Sequence, residues 1–224
     1  MAFPLQRSTA PASEPITLAA MKNYLRVDYP DDDALIQAMI SAAREDAEDF
    51  TGRSFVSQQW IYAMDYWPVF RYWESAPSRS DYDALGNFLY NGYRYNHSQT
   101  INIPRPPLIS MDAVVYTDMD GVQQTIASTE YQLDLLSCPA RIMPAYGSYW
   151  PMAQPIANAV QLTFTAGYSN PALPFGIVQA IQLTVAAWYR HREDFSGTKM
   201  STLPMGATRL LNMHRVEQFG YSGR

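Results

Sequence analysis

The sequence predicts an α+β fold, in which amphipathic helices from both chain ends pack together around an inserted antiparallel β region with a long aromatic loop. Apolar residues recur at helical spacing near the N-terminus and again near the C-terminus. Between them lie short runs of β-branched and aromatic residues, separated by turn-forming residues. The 224 residues are 47% hydrophobic, so the chain is long enough and apolar enough to bury a core.

In residues 1–15 the apolar side chains follow neither helical spacing nor the alternation of a strand, and we expect these residues to form a flexible N-terminal arm. A helical pair is predicted over residues 16–55. Its first helix, Ile16–Val27, has Thr17 as a candidate N-cap and is joined to the second by a short acidic turn. The two helices are therefore expected to lie antiparallel.

The second helix, Asp31–Arg53, has the strongest pattern in the chain. Its apolar residues fall at steps of three and four and share one face: Leu35, Ile36, Met39, Ile40, Ala43, Ala47 and Phe50. Acidic residues at its start favour the positive end of the helix dipole, and Gly52 suits a left-handed end. The opposite face carries Arg44, Glu45, Asp46, Glu48 and Asp49, which predicts a solvated face.

Charge is unevenly distributed along the chain. The stretch from Asp28 to Asp49 holds eight acids and one base, a net charge of −7. The stretch from Arg190 to Arg224 holds six bases and three acids, a net charge of +3. Opposite charges at the two ends of one chain favour head-to-tail contacts between copies, or different partners at the two ends.

Residues 56–173 are predicted to form a β-rich region. Val56–Tyr66 is rich in strand formers, and Val114–Tyr116 and Val122–Ile126 flank Asp120-Gly121, a pair suited to a tight hairpin. Further strands are expected at Tyr131–Leu136 and Ala159–Thr165, with an aromatic loop at Gly147–Pro155. Ile101–Ile103 leads into a proline-rich run that can form only an edge or a loop.

The long aromatic loop, residues 67–100, has no regular period. Its large aromatic side chains include Tyr72, Trp73, Tyr82, Phe88, Tyr90, Tyr93 and Tyr95. So many aromatic residues favour a segment that orders against a neighbouring protein over a disordered linker. Stacking on single-stranded bases is the alternative, and it is less favoured because the bases between Tyr66 and Tyr95 are matched by equal numbers of acids.

Residues 174–194 are predicted to form the core helix of the C-terminal third. Its apolar row consists of Ile177, Ile181, Val185 and Trp188, and the helix is apolar almost all round until Tyr189. Residues 195–224 are expected to supply a linker, a short helix over Leu203–Met213 and a tail.

Composition restricts the function classes. Charged residues make up only 17% and aromatic residues 13%, a balance typical of proteins with buried interfaces. The net charge of −5 disfavours a general nucleic-acid binder. The single cysteine, Cys138, cannot form a disulfide or a cysteine zinc site within one chain, and we expect a packed thiol. No apolar run reaches membrane-spanning length, and residues 1–15 lack the apolar core of a signal peptide.

The sequence contains no catalytic signature. It lacks a nucleophile elbow, a phosphate loop and a dinucleotide fingerprint. The three histidines, His97, His191 and His214, are far apart, and the acids of Asp31–Asp33 lack the alternating ligands and turn glycine of a calcium loop. We therefore predict no enzyme activity, no metal site and no cofactor.

Two segments resemble a known family. ITLAAMKNYLRV at 16–27, followed by DDDALIQAMISAAREDAEDFTGRSF at 31–55, resembles the start of the head–tail connector, or adaptor, proteins of tailed bacteriophages. The C-terminal part is also similar, with Trp188-Tyr189-Arg190 closing an apolar helix and Leu203–Ala207 preceding Leu210-Leu211. The resemblance does not extend over about 67–158, and it predicts that the aromatic middle is an insertion absent from shorter members.

The resemblance implies a structural virion protein in the neck between head and tail, assembled in the host cytoplasm. Such proteins form a ring, commonly of twelve copies, below the portal protein, extend the channel for double-stranded DNA, and dock a stopper or another tail-side component. It implies a portal-binding segment containing Leu203, Pro204, Met205, Leu210, Leu211, Arg215, Val216 and Phe219. It also places Glu45, Asp46, Glu48 and Asp49 at the channel or a subunit interface, where a negative lining would let DNA slide.

The alternative is a DNA-packaging or nucleic-acid-handling phage protein that binds DNA directly. The acidic balance disfavours it, and salt-sensitive DNA binding by the isolated chain would support it. The aromatic loop is expected to contact a neighbouring subunit, the portal or a tail protein.

Overall fold

The computed structural model describes residues 4–68, 89–90, 93–94, 99–169, 173–190 and 204–216. Within these residues the fold is α+β, as predicted. The helices are α1 (Leu18–Leu25), α2 (Asp33–Thr51), α3 (Phe175–Arg190) and α4 (Met205–Asn212). The strands are β1 (Leu5–Thr9), β2 (Gln58–Met64), β3 (Leu89–Tyr90), β4 (Tyr93–Arg94), β5 (Ile101–Asn102), β6 (Leu108–Thr117), β7 (Gln123–Thr125), β8 (Tyr131–Asp134), β9 (Arg141–Pro144) and β10 (Val160–Ala166).

The four helices pack into one core, which confirms that helices from both chain ends come together. Thr17 caps α1 by accepting a hydrogen bond from the Ala20 backbone N–H, and Gly52 ends α2 in the left-handed conformation with φ 70°. The fully buried side chains of this core include Met21, Ile36, Ile40, Ile177, Ile181 and Leu211. Helix α3 contacts each of the other three helices, because its buried face is wide and almost entirely apolar.

The main sheet has five antiparallel strands in the order β1-β2-β10-β6-β7. Strand β10 is central, and its alternating residues Val160, Leu162, Phe164 and Ala166 are buried in the β core. The predicted hairpin at Asp120-Gly121 is present between β6 and β7. Its turn is built around Asp118, whose carboxylate accepts the backbone N–H groups of Asp120 and Val122.

A smaller sheet is ordered β5-β9-β8, and its residues Ile101 and Ile142 share one buried cluster with β10 of the main sheet. Strand β9 was not predicted, because its four residues, RIMP, end in a proline and carry no clear alternation. Gly167 joins the sheet to the helices. A Cβ at this position, with φ 138°, would lie 2.2 Å from the Val56 carbonyl oxygen, so only glycine fits this close approach.

The N-terminal segment differs from the expected flexible arm. Leu5–Thr9 forms the edge strand β1, paired antiparallel with β2. The expectation failed because most side chains of β1 are exposed, so the strand needs little apolar alternation. The backbone of the aromatic loop also contains the short pair β3–β4, with Tyr90 opposite Tyr93.

Candidate interaction surfaces

The acidic face of α2 is less solvated than the sequence predicts. Arg44 and Glu48 are both buried, and the Arg44 guanidinium donates to Glu48 Oε2 and Glu14 Oε2, each at 2.8 Å. Glu48 Oε1 also accepts the Phe55 backbone N–H at 2.6 Å and Gln58 Nε2 at 2.8 Å. The Glu48 carboxylate is therefore not on a solvated face, because partners from its own chain surround it; its assignment to a channel lining or subunit interface stays a prediction.

The buried pair makes α2 the junction of three parts of the chain. Glu14 lies before α1, Arg44 and Glu48 lie on α2, and Gln58 begins β2. Burial alone would lower the pKa of Arg44, but the hydrogen bond to Glu14 and the nearby carboxylates outweigh it and raise that pKa. Sequence periodicity places a residue on a helix face, but it does not show that a second segment, here the one carrying Glu14, covers that face.

The other acids of this face remain accessible in part. Glu45 is about half exposed and accepts a hydrogen bond from Arg7 of β1 at 2.9 Å, which lowers the pKa of Glu45. Asp49 is mostly exposed and pairs with Arg105 at 2.6 Å. Asp46 is partly buried. Desolvation, together with the charge of Asp49, raises the pKa of Asp46.

The end of the C-terminal helical segment is attached to α2. The Val216 backbone N–H donates to the Thr51 carbonyl at 2.8 Å, and the Arg53 guanidinium donates to the His214 carbonyl. The Arg215 guanidinium lies 5.5 Å from the centre of the Phe50 ring. Burial, with a smaller effect from Arg53, lowers the pKa of His214.

The residues predicted to bind a portal fall into different environments. Leu211 is fully buried in the helical core and Leu210 packs against that core. Leu211 is therefore not free to contact a partner, because it holds α4 in place. Met205 and Arg215 are exposed, and Pro204 and Val216 are intermediate. Leu203 and Phe219 lie outside the described residues.

The end of α3 contacts the acidic turn between α1 and α2. The Tyr189 hydroxyl donates to Asp32 Oδ2 at 2.6 Å and lies 3.0 Å from the Tyr29 hydroxyl. These bonds raise the pKa of Tyr189. The basic stretch begins at the next residue, Arg190, and the head-to-tail contact expected from the two charged stretches stays a prediction.

Both ends of the aromatic loop converge on Trp150. Its indole stacks on that of Trp67 with ring centroids 4.4 Å apart and planes 3° apart. Its backbone N–H and Nε1–H donate to the side chain and backbone carbonyl of Gln99, at 3.2 and 2.7 Å. Trp67 lies one residue before the undescribed part of the loop and Gln99 directly follows that part, so the Trp150 side chain contacts both ends, or stems, of the loop. The sequence alone gave no signal for this role, because Trp150 is distant from both stems along the chain.

The aromatic side chains predicted to contact a neighbour are not placed by the structure. Tyr72, Trp73, Tyr82, Phe88 and Tyr95 lie outside the described residues, and only the backbone of Tyr90 and Tyr93 is described. The loop around Trp150 is described fully and is highly exposed. Tyr146 is 98% exposed, Met152 77% and Tyr149 68%.

Cys138 is exposed, so the prediction of a packed thiol is wrong. Its sulfur accepts a hydrogen bond from Arg53 Nη2 at 3.4 Å.

Among the described residues, no group of three or more His, Cys, Asp or Glu side chains is arranged to hold a metal ion. A search of the same residues found no helix that is long and apolar enough to span a membrane.

Comparison with known proteins supports the resemblance. Residues 15–94 match the family model described as phage gp6-like head-tail connector protein. This match confirms the similarity predicted at 16–55 and extends it into the aromatic loop. The similarity predicted near the C-terminus lies outside the matched residues and stays a prediction. No curated protein matches the sequence.

Several solved structures share the fold over almost the whole chain. One is described as the neck of an empty gene transfer agent (GTA) particle computed with C6 symmetry, with 24% identity and a TM-score of 0.66, covering 95% of both chains. A second, the virion of a native GTA particle, has 23% identity and a TM-score of 0.65, covering 94% of both. A third, the neck of a native GTA particle computed with C12 symmetry, has 23% identity and a TM-score of 0.64, covering 95% of this chain and 94% of the other.

The coverage bears on the aromatic middle. Its prediction as an insertion absent from shorter family members stays a prediction, since these three chains are not shorter. The matched chains are covered to the same extent as this one, so relative to them the β-rich middle belongs to the shared fold.

Proposed function

We propose that this chain, which resembles the phage head–tail connector proteins, is a structural subunit of the neck of a phage-like particle. The observation that carries the proposal is the shared fold over 95% of the chain with proteins from particle necks, together with the connector-family match at residues 15–94. The proposed role requires stable packing and exposed docking surfaces, and it requires no catalytic site.

In this proposal the subunits form a ring, of twelve copies by analogy with the family. The necks of similar fold were computed with C6 and C12 symmetry, which supports a cyclic arrangement. A ring of this kind needs heterologous contacts, in which one surface of a subunit binds a different surface of the next. The ring would lie below the portal, surround the passing double-stranded DNA and present its far side to a stopper or tail-side protein.

The portal contact is assigned to the C-terminal segment, with fewer residues than the sequence predicts, because some of them are buried. Leu211 and Ala207 are fully buried, so α4 serves mainly as the anchor of this segment. Arg215, Val216 and the residues that follow, including Phe219, are the proposed portal-binding part. The exposed residue Met205 and the intermediate residues Pro204 and Leu210 would contribute only where a partner reaches α4 itself.

The channel or interface role of the α2 acids is proposed for three residues, because the fourth, Glu48, is buried. These three candidates for a channel lining or subunit interface are Glu45, Asp46 and Asp49. Their pairs with Arg7 and Arg105 reduce the net negative charge of this face. A subunit interface is therefore the better supported of the two roles, since a repulsive lining needs unpaired charge.

The proposal can be tested with portal rings from the same particle. Purified chain is mixed with preformed portal rings and imaged by negative-stain microscopy. A variant that ends after Val216 serves as the tail deletion, because a cut at Leu203 would remove α4 and expose the helical core. We expect an added ring at one end of the portal with the full chain, and loss of that ring with the deletion.

Two results would count against this function. Absence of an added ring with either protein would exclude direct portal docking. Salt-sensitive binding of the isolated chain to double-stranded DNA, with no portal binding, would favour the DNA-handling alternative. A thermal melt of the deletion variant matching that of the full chain would show that loss of the tail left the fold intact.

A further inference from the structure

The end of the β region that lies away from the helices carries an exposed aromatic and acidic surface, which we call the distal surface. Its members are Tyr146, Tyr149, Met152, Asp65, Asp120 and Glu130. Hydrogen bonds hold its loops together. The Gln154 N–H donates to the Thr117 carbonyl at 2.9 Å, and the Ala145 N–H donates to the Glu130 carbonyl at 2.9 Å.

The composition of the distal surface indicates a protein partner. Three large side chains, Tyr146, Tyr149 and Met152, are each more than two-thirds exposed within about six residues. Clusters of this kind are uncommon on monomers, and aromatic residues and Met are enriched at interfaces. Residues 117–123 and 145–158 contain no Lys, Arg or His. A partner for this surface is therefore expected to be basic as well as apolar.

A second surface on the same chain has the complementary chemistry. Met205 and Arg209 on α4, and Met213 at its C-cap, follow at steps of four residues. All three are exposed, because the opposite face of α4 holds Ala207 and Leu211 in the core. We call these three residues the outer row of α4. Phe175–Arg190 and Met205–Asn212, the two helices that form this side, contain no acidic residue.

The two surfaces cannot meet within one chain. Val160 of β10 lies opposite Tyr116 near the distal surface, whereas Ala166 at the other end of β10 lies opposite Leu108 and leads towards the helices. Seven strand residues span roughly 20 Å. The outer row of α4 lies beyond that end, so any contact between the two surfaces joins two copies.

We propose that the outer row of α4 in one copy packs against the distal surface of the next copy. Such a contact is heterologous, and it closes into a ring when the rotation between neighbouring copies is a whole fraction of a turn. The Met side chains would pack among Tyr146, Tyr149 and Met152, and Arg209 would face the carboxylates. The proposal rests on the ring of the proposed function and names one pair of surfaces that join neighbouring copies, in addition to the contact proposed for the α2 acids.

Cysteine crosslinking tests this contact directly. In a Cys138→Ser background, the variant Tyr149→Cys with Met213→Cys places one thiol on each surface. Mild oxidation, or a short bismaleimide, is applied with and without portal rings, and products are resolved on denaturing gels. We expect a ladder of covalent oligomers up to the full ring. The single variants should give no product beyond a dimer, since each then carries one thiol.

A matched pair controls for chance collisions. Ile109→Cys with Met213→Cys carries the same number of thiols, and Ile109 is exposed on β6 outside both surfaces. This pair should give at least tenfold less trimer and higher product. The thermal melt of each variant is recorded, so that a misfolded variant is replaced by one carrying Met152→Cys in place of Tyr149→Cys.

The outcomes separate this inference from the proposed function. Rings on the portal together with the ladder support both. Rings on the portal without a ladder above the control overturn the contact and leave the neck function standing. A ladder without rings on the portal supports the contact between copies and contradicts docking to the portal. If the mixture gives no ladder and no rings, both the contact and the neck function are overturned. Crosslinking of Tyr149→Cys to the portal would assign the distal surface to the portal protein instead.

Discussion

The buried charges of α2 and the aromatic side chains of the distal surface differ in how they are covered. On α2, Arg44 and Glu48 are surrounded by Glu14, Phe55 and Gln58, and both buried charges have partners from their own chain. On the distal surface, Tyr146, Tyr149 and Met152 face solvent. The charges of α2 are thus satisfied within a single subunit, whereas the large side chains of the distal surface are open to a partner.

The largest loss of unfolding free energy is expected from breaking the buried ion pair between Arg44 and Glu48. Arg44→Ala leaves the buried Glu48 and the partly buried Glu14 without their cation, which typically costs about 3–5 kcal/mol of unfolding free energy. Equilibrium unfolding in urea measures the loss. Glu45→Ala is the matched control on the same helix, because Glu45 is about half exposed and its pairs should contribute under about 1 kcal/mol. Equal losses for the two variants would contradict the structural role assigned to Arg44.

A cavity made at a buried position of α3 is expected to lower the unfolding free energy by a similar or slightly smaller amount. Ile181 is fully buried in the helical cluster, and Ile→Ala in such sites costs about 2–5 kcal/mol. Tyr149→Ala removes a larger side chain from the distal surface and should change stability by about 0.5 kcal/mol or less. If Tyr149→Ala were as destabilising as Ile181→Ala in the isolated chain, the distal surface would already be covered within the subunit.

Removing Trp150 should affect the β region more locally. Trp150→Phe keeps an aromatic ring against Trp67 but deletes the Nε1–H bond to the Gln99 carbonyl, at a cost of about 1 kcal/mol. Trp150→Ala also removes the stacking and should cost about twice as much or more. Limited proteolysis between Trp67 and Gln99 provides the readout, with faster cleavage expected in the order wild type, Phe variant, Ala variant. Unchanged cleavage in both variants would show that Trp150 does not fix the stems.

The smallest effect concerns the attachment of the C-terminal segment. The pKa of His214 is lowered in the folded chain, so folding favours its neutral form. The stabilisation is therefore present above the unfolded pKa, near 6.5, and is lost as pH falls below it. Hydrogen-exchange protection of the Val216 N–H, which donates to Thr51, should fall on acidification from pH 7.5 to 5.5. His214→Gln should remove this dependence, and an unchanged pH response in that variant would assign it to another group.

Sequence reasoning succeeded for elements whose pattern is local. The period of α2 and its Gly52 end, the Thr17 cap of α1 and the Asp120-Gly121 hairpin all depend on residues within a few positions of each other, and each is present in the structure. The apolar row of α3 also predicted its central place in the helical core.

The failures involve contacts between distant segments. Glu48 was placed on a solvated face because its neighbours along α2 are charged, and only the approach of Glu14 and Gln58 buries it. Strand β1 was missed because an exposed edge strand needs no apolar alternation. The burial of Leu211 was missed because the sequence does not show that α4 returns to pack beside α3. The role of Trp150 depends on two stems that are separated from it by more than 50 positions along the chain.

The most direct test of a ring-forming neck subunit is cryo-electron microscopy of the full chain mixed with portal rings. The account predicts a coaxial ring of this chain on one end of the portal, with an open central channel and the residues after Val216 directed at the portal. Monomers scattered off the portal, or chains bound along free DNA, would contradict it.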